Sequence, residues 1–212
     1  MTGIEADFLE DGRQSAEDVA GRLGAFIHEA ARTLDIAIYD FHARTGASAA
    51  VADALEAALA RDVQVRVAFN QEREANRSHN TPMQGDPGAI DGLEVPTRGV
   101  HDEGALMHHK YVVRDGRHVW TGSTNWTDDA FAREENTIVR IDAPEIAAAY
   151  TRNFEQLWQH ERIEPSGGAG RPWSSVAASL PSRCSPPRAR RSPTAWRNAS
   201  PPPTVACGSS HP

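Results

Sequence analysis

The stretch His108-His109-Lys110-Tyr111-Val112-Val113-Arg114-Asp115-Gly116-Arg117-His118-Val119-Trp120-Thr121-Gly122-Ser123-Thr124-Asn125 decides how this chain is read. Asp115-Gly116 is the preferred pair for a two-residue hairpin turn, and the flanking runs are rich in strand-forming residues. The pattern predicts a strand over residues 105–114 and an antiparallel return over 117–121. On a strand, residues two apart share a face. His108 and Lys110 therefore project together, with Val112 continuing the row, while His109, Tyr111 and Val113 face the other way. The return strand is expected to bring Gly122 and Ser123 near the level of His108. Gly122 lets a ligand approach the backbone closely, and Ser123 and Asn125 are spaced to donate hydrogen bonds towards one anionic oxygen. An imidazole for in-line attack, a fixed cation and neutral donors are the combination a phosphodiester needs.

Working outward, the chain alternates between helical and strand periodicity. Ser15 followed by Asp18 reads as a helix start, and Val19, Leu23, Phe26 and Ile27 recur at helical spacing over residues 16–32. Residues 34–41 read as a strand, 49–60 as a helix and 62–69 as a second strand. Strand, helix and strand at this spacing form a right-handed βαβ unit. Residues 70–104 are rich in Gly, Pro and charge and read as a long loop, with a short strand within 93–100 and a place at the rim of a site. Residues 134–141 contain a last strand, and 144–160 a helix that buries Ile146, Tyr150, Phe154 and Leu157. The expected fold class is α/β, with helices layered on both sides of a mixed sheet.

Composition bounds the function classes. Both cysteines, Cys184 and Cys207, lie near the end of the chain, which excludes a disulfide framework or a cysteine-rich zinc site in the body. No long apolar run predicts a membrane span, and the acidic N-terminus is unlike a secretory signal. The expected location is the cytoplasm. From residue 166 onward there are six arginines and no acidic residue. Setting these aside from the twenty-two basic residues leaves sixteen against twenty-nine acidic ones, a balance of −13 for residues 1–165. A body this acidic lacks the basic footprint of a duplex-DNA enzyme. The organisation expected is one domain over residues 1–165 and a disordered Pro/Ser/Arg-rich tail over 166–212.

Lys110 is the only lysine in the chain. Around it the motif H-x-K-x4-D-x6-G-S-x-N fixes six residue types at five spacings, a match expected by chance about once in 10^7 to 10^8 placements. This resembles the signature of the phospholipase D superfamily, the HKD phosphodiesterases, and the resemblance covers roughly residues 16–162. It implies that His108 is the nucleophile, becoming transiently phosphorylated. It further implies that Lys110, Ser123 and Asn125, with Gly122, bind the phosphoryl oxygens, and that an acidic residue orients the histidine. Glu135 is the expected match for that residue, with Glu134 the second choice. Asp115 is expected to hold the hairpin and the motif geometry. No metal or other cofactor is implied, because lysine and histidine supply the positive charge.

Active sites of the family contain two motifs, and this chain holds one. Small bacterial nucleases of the family and the mitochondrial cardiolipin hydrolase type complete the site by homodimerising, so a homodimer is expected. The rival reading is half of a longer two-motif enzyme. The expected substrate is a phospholipid, cleaved at the headgroup phosphodiester. The alternatives are a metal-independent endonuclease and a non-catalytic phosphate-binding member. His109, the two tryptophans Trp120 and Trp126, and the charged side chains Arg73, Arg77, His79 and Arg98 have bland readings as packing or solvated residues beside their functional ones. A zinc cluster drawn from His101, Asp102, Glu103, His108 and His109 fits no compact ligand pattern.

Overall fold

Ser15 caps the first helix, its hydroxyl accepting the Asp18 amide at 3.1 Å. The helix α1 (Ala16–His28) then buries Val19, Leu23, Phe26 and Ile27, each worth about 1.5–3 kcal/mol when removed from water. It is preceded by a strand β1 (Gly3–Leu9) and followed by β2 (Thr33–Ile38), α2 (Ala49–Leu59) and β3 (Gln64–Asn70). The remaining elements are β4 (Thr97–Val100), β5 (Lys110–Arg114), β6 (His118–Gly122), α3 (Asp128–Ala132), β7 (Asn136–Asp142) and α4 (Pro144–His160). This computed structural model describes residues 3–71, 90, 92–101 and 106–163. These all belong to one compact unit, Met1–Gly170. The tail expected from residue 166 lies outside the described residues, as do Arg73, Arg77, His79, Asp102 and Glu103.

The seven strands form one mixed sheet in the order β1-β7-β6-β5-β2-β3-β4. β2, β3 and β4 run parallel, as the βαβ reading requires, and β5 joins β2 antiparallel. The sheet is packed on both sides. Ile36, Ile38, Val67, Val112 and Trp120 meet α1, α2 and α3 on one face, and Ala37, Tyr111, Val113 and Val119 meet Phe154 and Leu157 of α4 on the other. Tyr150 and Ile146, expected to be buried on α4, are only half-buried, and Ala147 fills the core in their place.

The structure differs from the sequence reading at three places. β5 begins at Lys110 rather than residue 105. His108 lies in an extended approach segment, tied to the sheet one residue later by the Tyr39 amide, which donates to the His109 carbonyl at 2.8 Å. The hairpin register pairs Arg114 with His118, one residue more than a two-residue turn leaves. Asp115 and Gly116 both take positive φ, 54° and 64°, as a type I′ turn demands, and Arg117 is the extra residue. β1 and the short α3 were not expected at all.

Asp115 sits at the end of β5 remote from Lys110. Its carboxylate accepts the backbone amides of Ala31 (3.0 Å), Arg32 (2.7 Å) and Thr33 (3.0 Å), fixing the turn that leads α1 into β2. Against the cost of burial, these three amides and the nearby Arg32 charge hold its pKa below the ordinary carboxylate value. A depressed carboxylate stabilises the fold above its unfolded pKa and loses that contribution as pH falls through its folded value. Asp115→Ala is therefore expected to cost about 1–3 kcal/mol at neutral pH. In urea titrations the gap between wild type and variant should close at acid pH; a gap constant from pH 7 to pH 3 would contradict this assignment.

Candidate active site

Three separate segments meet at the end of β2. The Trp126 amide donates to the Asp40 carbonyl at 2.9 Å, and the His42 amide donates to the Trp126 carbonyl at 3.0 Å. With the Tyr39–His109 bond, residues 39–42 thus stitch together the two arms of the motif. Asn70, buried at the end of β3, accepts the Met107 amide through its side-chain oxygen at 2.9 Å. The motif is held by the C-terminal ends of two parallel strands, where open α/β sheets commonly place their sites.

Lys110 is nearly buried, at 7 % exposure. Its ammonium donates to the His108 carbonyl at 3.2 Å and lies 4.7 Å from the centre of the Tyr39 ring. Burial lowers its pKa to about 8, against an upward pull from the Asp40 and Glu134 carboxylates. The lysine therefore stays charged at neutral pH. His108 is exposed, with its ring 4.5 Å from that of Tyr39, edge to face. Partial burial and then the Lys110 charge push its pKa below the ordinary histidine value, so the imidazole is neutral and its lone pair available. His109 is half-buried and packs edge-on against Tyr111 at 5.7 Å. Burial, Lys110 and His108 also lower its pKa, and its Nδ1 has no hydrogen-bond partner among the described residues.

The donor arm is anchored on β7. Gly122 has φ of 144°, and a Cβ there would run into the Thr137 carbonyl, so glycine is required. The Ser123 amide donates to the Thr137 carbonyl at 3.0 Å. The Ser123 hydroxyl accepts the Thr137 amide at 3.0 Å and donates to Asn136 Oδ1 at 2.7 Å. Its single proton is thus engaged, and it can reach a bound oxygen only by releasing Asn136. Asn125 is half-buried, with Oδ1 buried and unpartnered among the described residues.

The acidic neighbour differs from the sequence expectation. Glu135 is exposed and is not brought to the motif, whereas the Glu134 carboxylate accepts Asn136 Nδ2 at 3.1 Å and acts on Lys110. Trp120 packs on Phe26, with ring centres 5.6 Å apart, and Trp126 packs on Phe41 at 5.0 Å. Both indoles are core residues, 4 % and 1 % exposed. Arg98 lies over the Trp158 ring at 4.6 Å and donates to the Trp158 carbonyl. A cavity of about 350 Å³ lies at the hairpin end of the sheet, lined by Arg22, Phe26, Arg114, His118, Trp120 and Arg140; no motif side chain reaches it.

Sequence reasoning missed Tyr39, Asp40, Asn70 and Asn136. The first three stand at the C-terminal ends of β2 and β3, and that position was their only advance signal.

The family model described as cardiolipin synthase, PLD-like domain matches residues 23–158. Mitochondrial cardiolipin hydrolase from Xenopus laevis is 34 % identical over 131 residues, covering 61 % of this chain and 56 % of that protein. The chain thus spans about half the length of this curated relative. Two solved structures share the fold at 20 % identity. Nuc from Salmonella typhimurium, described as a phospholipase D family member, has a TM-score of 0.57 and covers 74 % of this chain and 95 % of its own. NucT from Helicobacter pylori has a TM-score of 0.58, with coverages of 75 % and 97 %. A matched domain over most of the described residues, carrying an intact H-x-K-x4-D-x6-G-S-x-N motif, makes this chain a member of the phospholipase D superfamily.

Proposed function

We propose that the chain is a phosphodiesterase of phospholipase D type, acting as a homodimer on the headgroup phosphodiester of a phospholipid. The observation that carries this reading is the pairing of an exposed, neutral His108 with a charged, nearly buried Lys110. A nitrogen of His108 attacks phosphorus in line. The P–N bond forms as the P–O bond to the leaving alcohol breaks, and the His108 of a second copy, entering this step as an imidazolium while its partner is neutral, gives that alcohol its proton. The same second imidazole then takes a proton from water, whose oxygen attacks phosphorus and releases His108. The net change is diester plus water to monoester plus alcohol. Lys110, Asn125 and, once freed from Asn136, Ser123 neutralise the charge that gathers on the equatorial oxygens.

The phospholipid choice rests on the acidic balance of residues 1–165 and on the name of the Xenopus laevis relative. No helix among the described residues is long and apolar enough to cross a membrane.

Hydrolysis of bis(p-nitrophenyl) phosphate in EDTA tests the reaction class. The expected result is activity that survives chelation and falls by about 10^3-fold or more in His108→Asn; loss on chelation, or an active variant, would refute it. Cardiolipin or phosphatidylcholine vesicles run beside single-stranded DNA then test the substrate, and preferential DNA cleavage would replace the lipid reading with a nuclease. Light scattering is expected to give the mass of two chains. A monomer with full activity would overturn the shared site.

A further inference from the structure

We propose that Tyr39 is a positioning residue of this site, its ring face carrying the Lys110 ammonium while its edge contact sets the His108 imidazole. The inference rests on the proposed role of Lys110 and His108, and it adds a residue outside the motif. Both members of the pair meet one ring: Nζ of Lys110 at 4.7 Å from its centre, and the His108 ring at 4.5 Å and 62°. Tyr39 is 9 % exposed, and its backbone is pinned by the bond to the His109 carbonyl.

The physical need for such a ring follows from the surroundings of Lys110. A buried ammonium normally demands an ion pair, and among the described residues none lies within ion-pair distance of Lys110. Among the described residues, the charged and titratable groups facing it are Asp40 beyond the end of β2, Glu134 before β7, and His108 and His109 on its own segment. A carboxylate in direct contact would hold the charge but compete with the phosphoryl oxygen for it. An aromatic face attracts the cation through its quadrupole without neutralising it. Tyr39 thus keeps Lys110 charged and still available, and the same ring fixes where the imidazole stands relative to that charge.

Because Lys110 is the only lysine, protein labelled with ε-13C lysine gives one side-chain signal whose pH titration reads this residue alone. The wild-type midpoint is expected near 8, as burial dictates. Tyr39→Leu keeps the site apolar but removes the quadrupole, and is expected to lower the midpoint by about half to one pH unit. Tyr39→Phe is expected to restore it. The alkaline fall of kcat/KM should move with the same midpoint in each variant. An unchanged lysine midpoint in folded Tyr39→Leu would overturn the proposal. Should that variant not fold, the wild-type ε-methylene protons decide the matter: a ring at this distance shifts them upfield, and ordinary shifts would refute the contact. Wild-type inactivity on every diester would instead overturn the proposed function, while the lysine titration would still decide whether Tyr39 holds the ammonium.

Discussion

A lysine ammonium held almost out of water, with no carboxylate among the described residues close enough to neutralise it, is the constraint around which this structure is arranged. Burial weakens its hold on the proton, and a tight ion pair would fill the place where an anionic substrate oxygen belongs. The chain meets both demands by setting two carboxylates, Asp40 and Glu134, at a distance, with an aromatic ring at the ammonium. Burial, partly offset by the two carboxylates, sets a pKa of about 8 that leaves the lysine charged at neutral pH while His108 beside it is neutral. A neutral nucleophile next to a persistent cation is the electrostatic state that attack on a phosphodiester requires.

The sheet supplies the rigidity. The parallel strands β2 and β3 end where the motif hairpin begins, and each lends a tie: Tyr39 to His109, Asn70 to Met107. At the far end of β5 the Asp115 carboxylate closes three amides of the α1–β2 turn. The motif's histidine and lysine thus stand at one end of the strand and its aspartate at the other. The spacing of the motif is the length of the strand between them.

Much of this was legible from spacing. The βαβ unit, the Asp115-Gly116 turn and the separation of Val112 from Tyr111 onto opposite faces follow from periods of 3.6 and 2. What escaped was set by contacts distant in sequence. Ile4, Ala6 and Phe8 alternate with Glu5 and Asp7 as a strand would, yet β1 is exposed along most of its length and takes its conformation from pairing with β7; its acidity masked the alternation. The family pattern pointed to Glu135, whereas Glu134 is the carboxylate that accepts Asn136 and acts on Lys110, a choice set by contacts with segments distant in sequence. Tyr39 and Asn70 reach the motif only because β2 and β3 end beside it, a fact of topology that no local window contains.

The proposed mechanism requires a covalent bond between His108 and phosphorus. Its most direct test is to quench the wild-type enzyme during turnover of a diester and locate any phosphoryl group by mass spectrometry under alkaline conditions, where a phosphohistidine survives. A phosphoryl adduct on His108 that is lost in acid is the expected result. Full turnover with no adduct on His108 at any quench time, or an adduct on another residue, would contradict it.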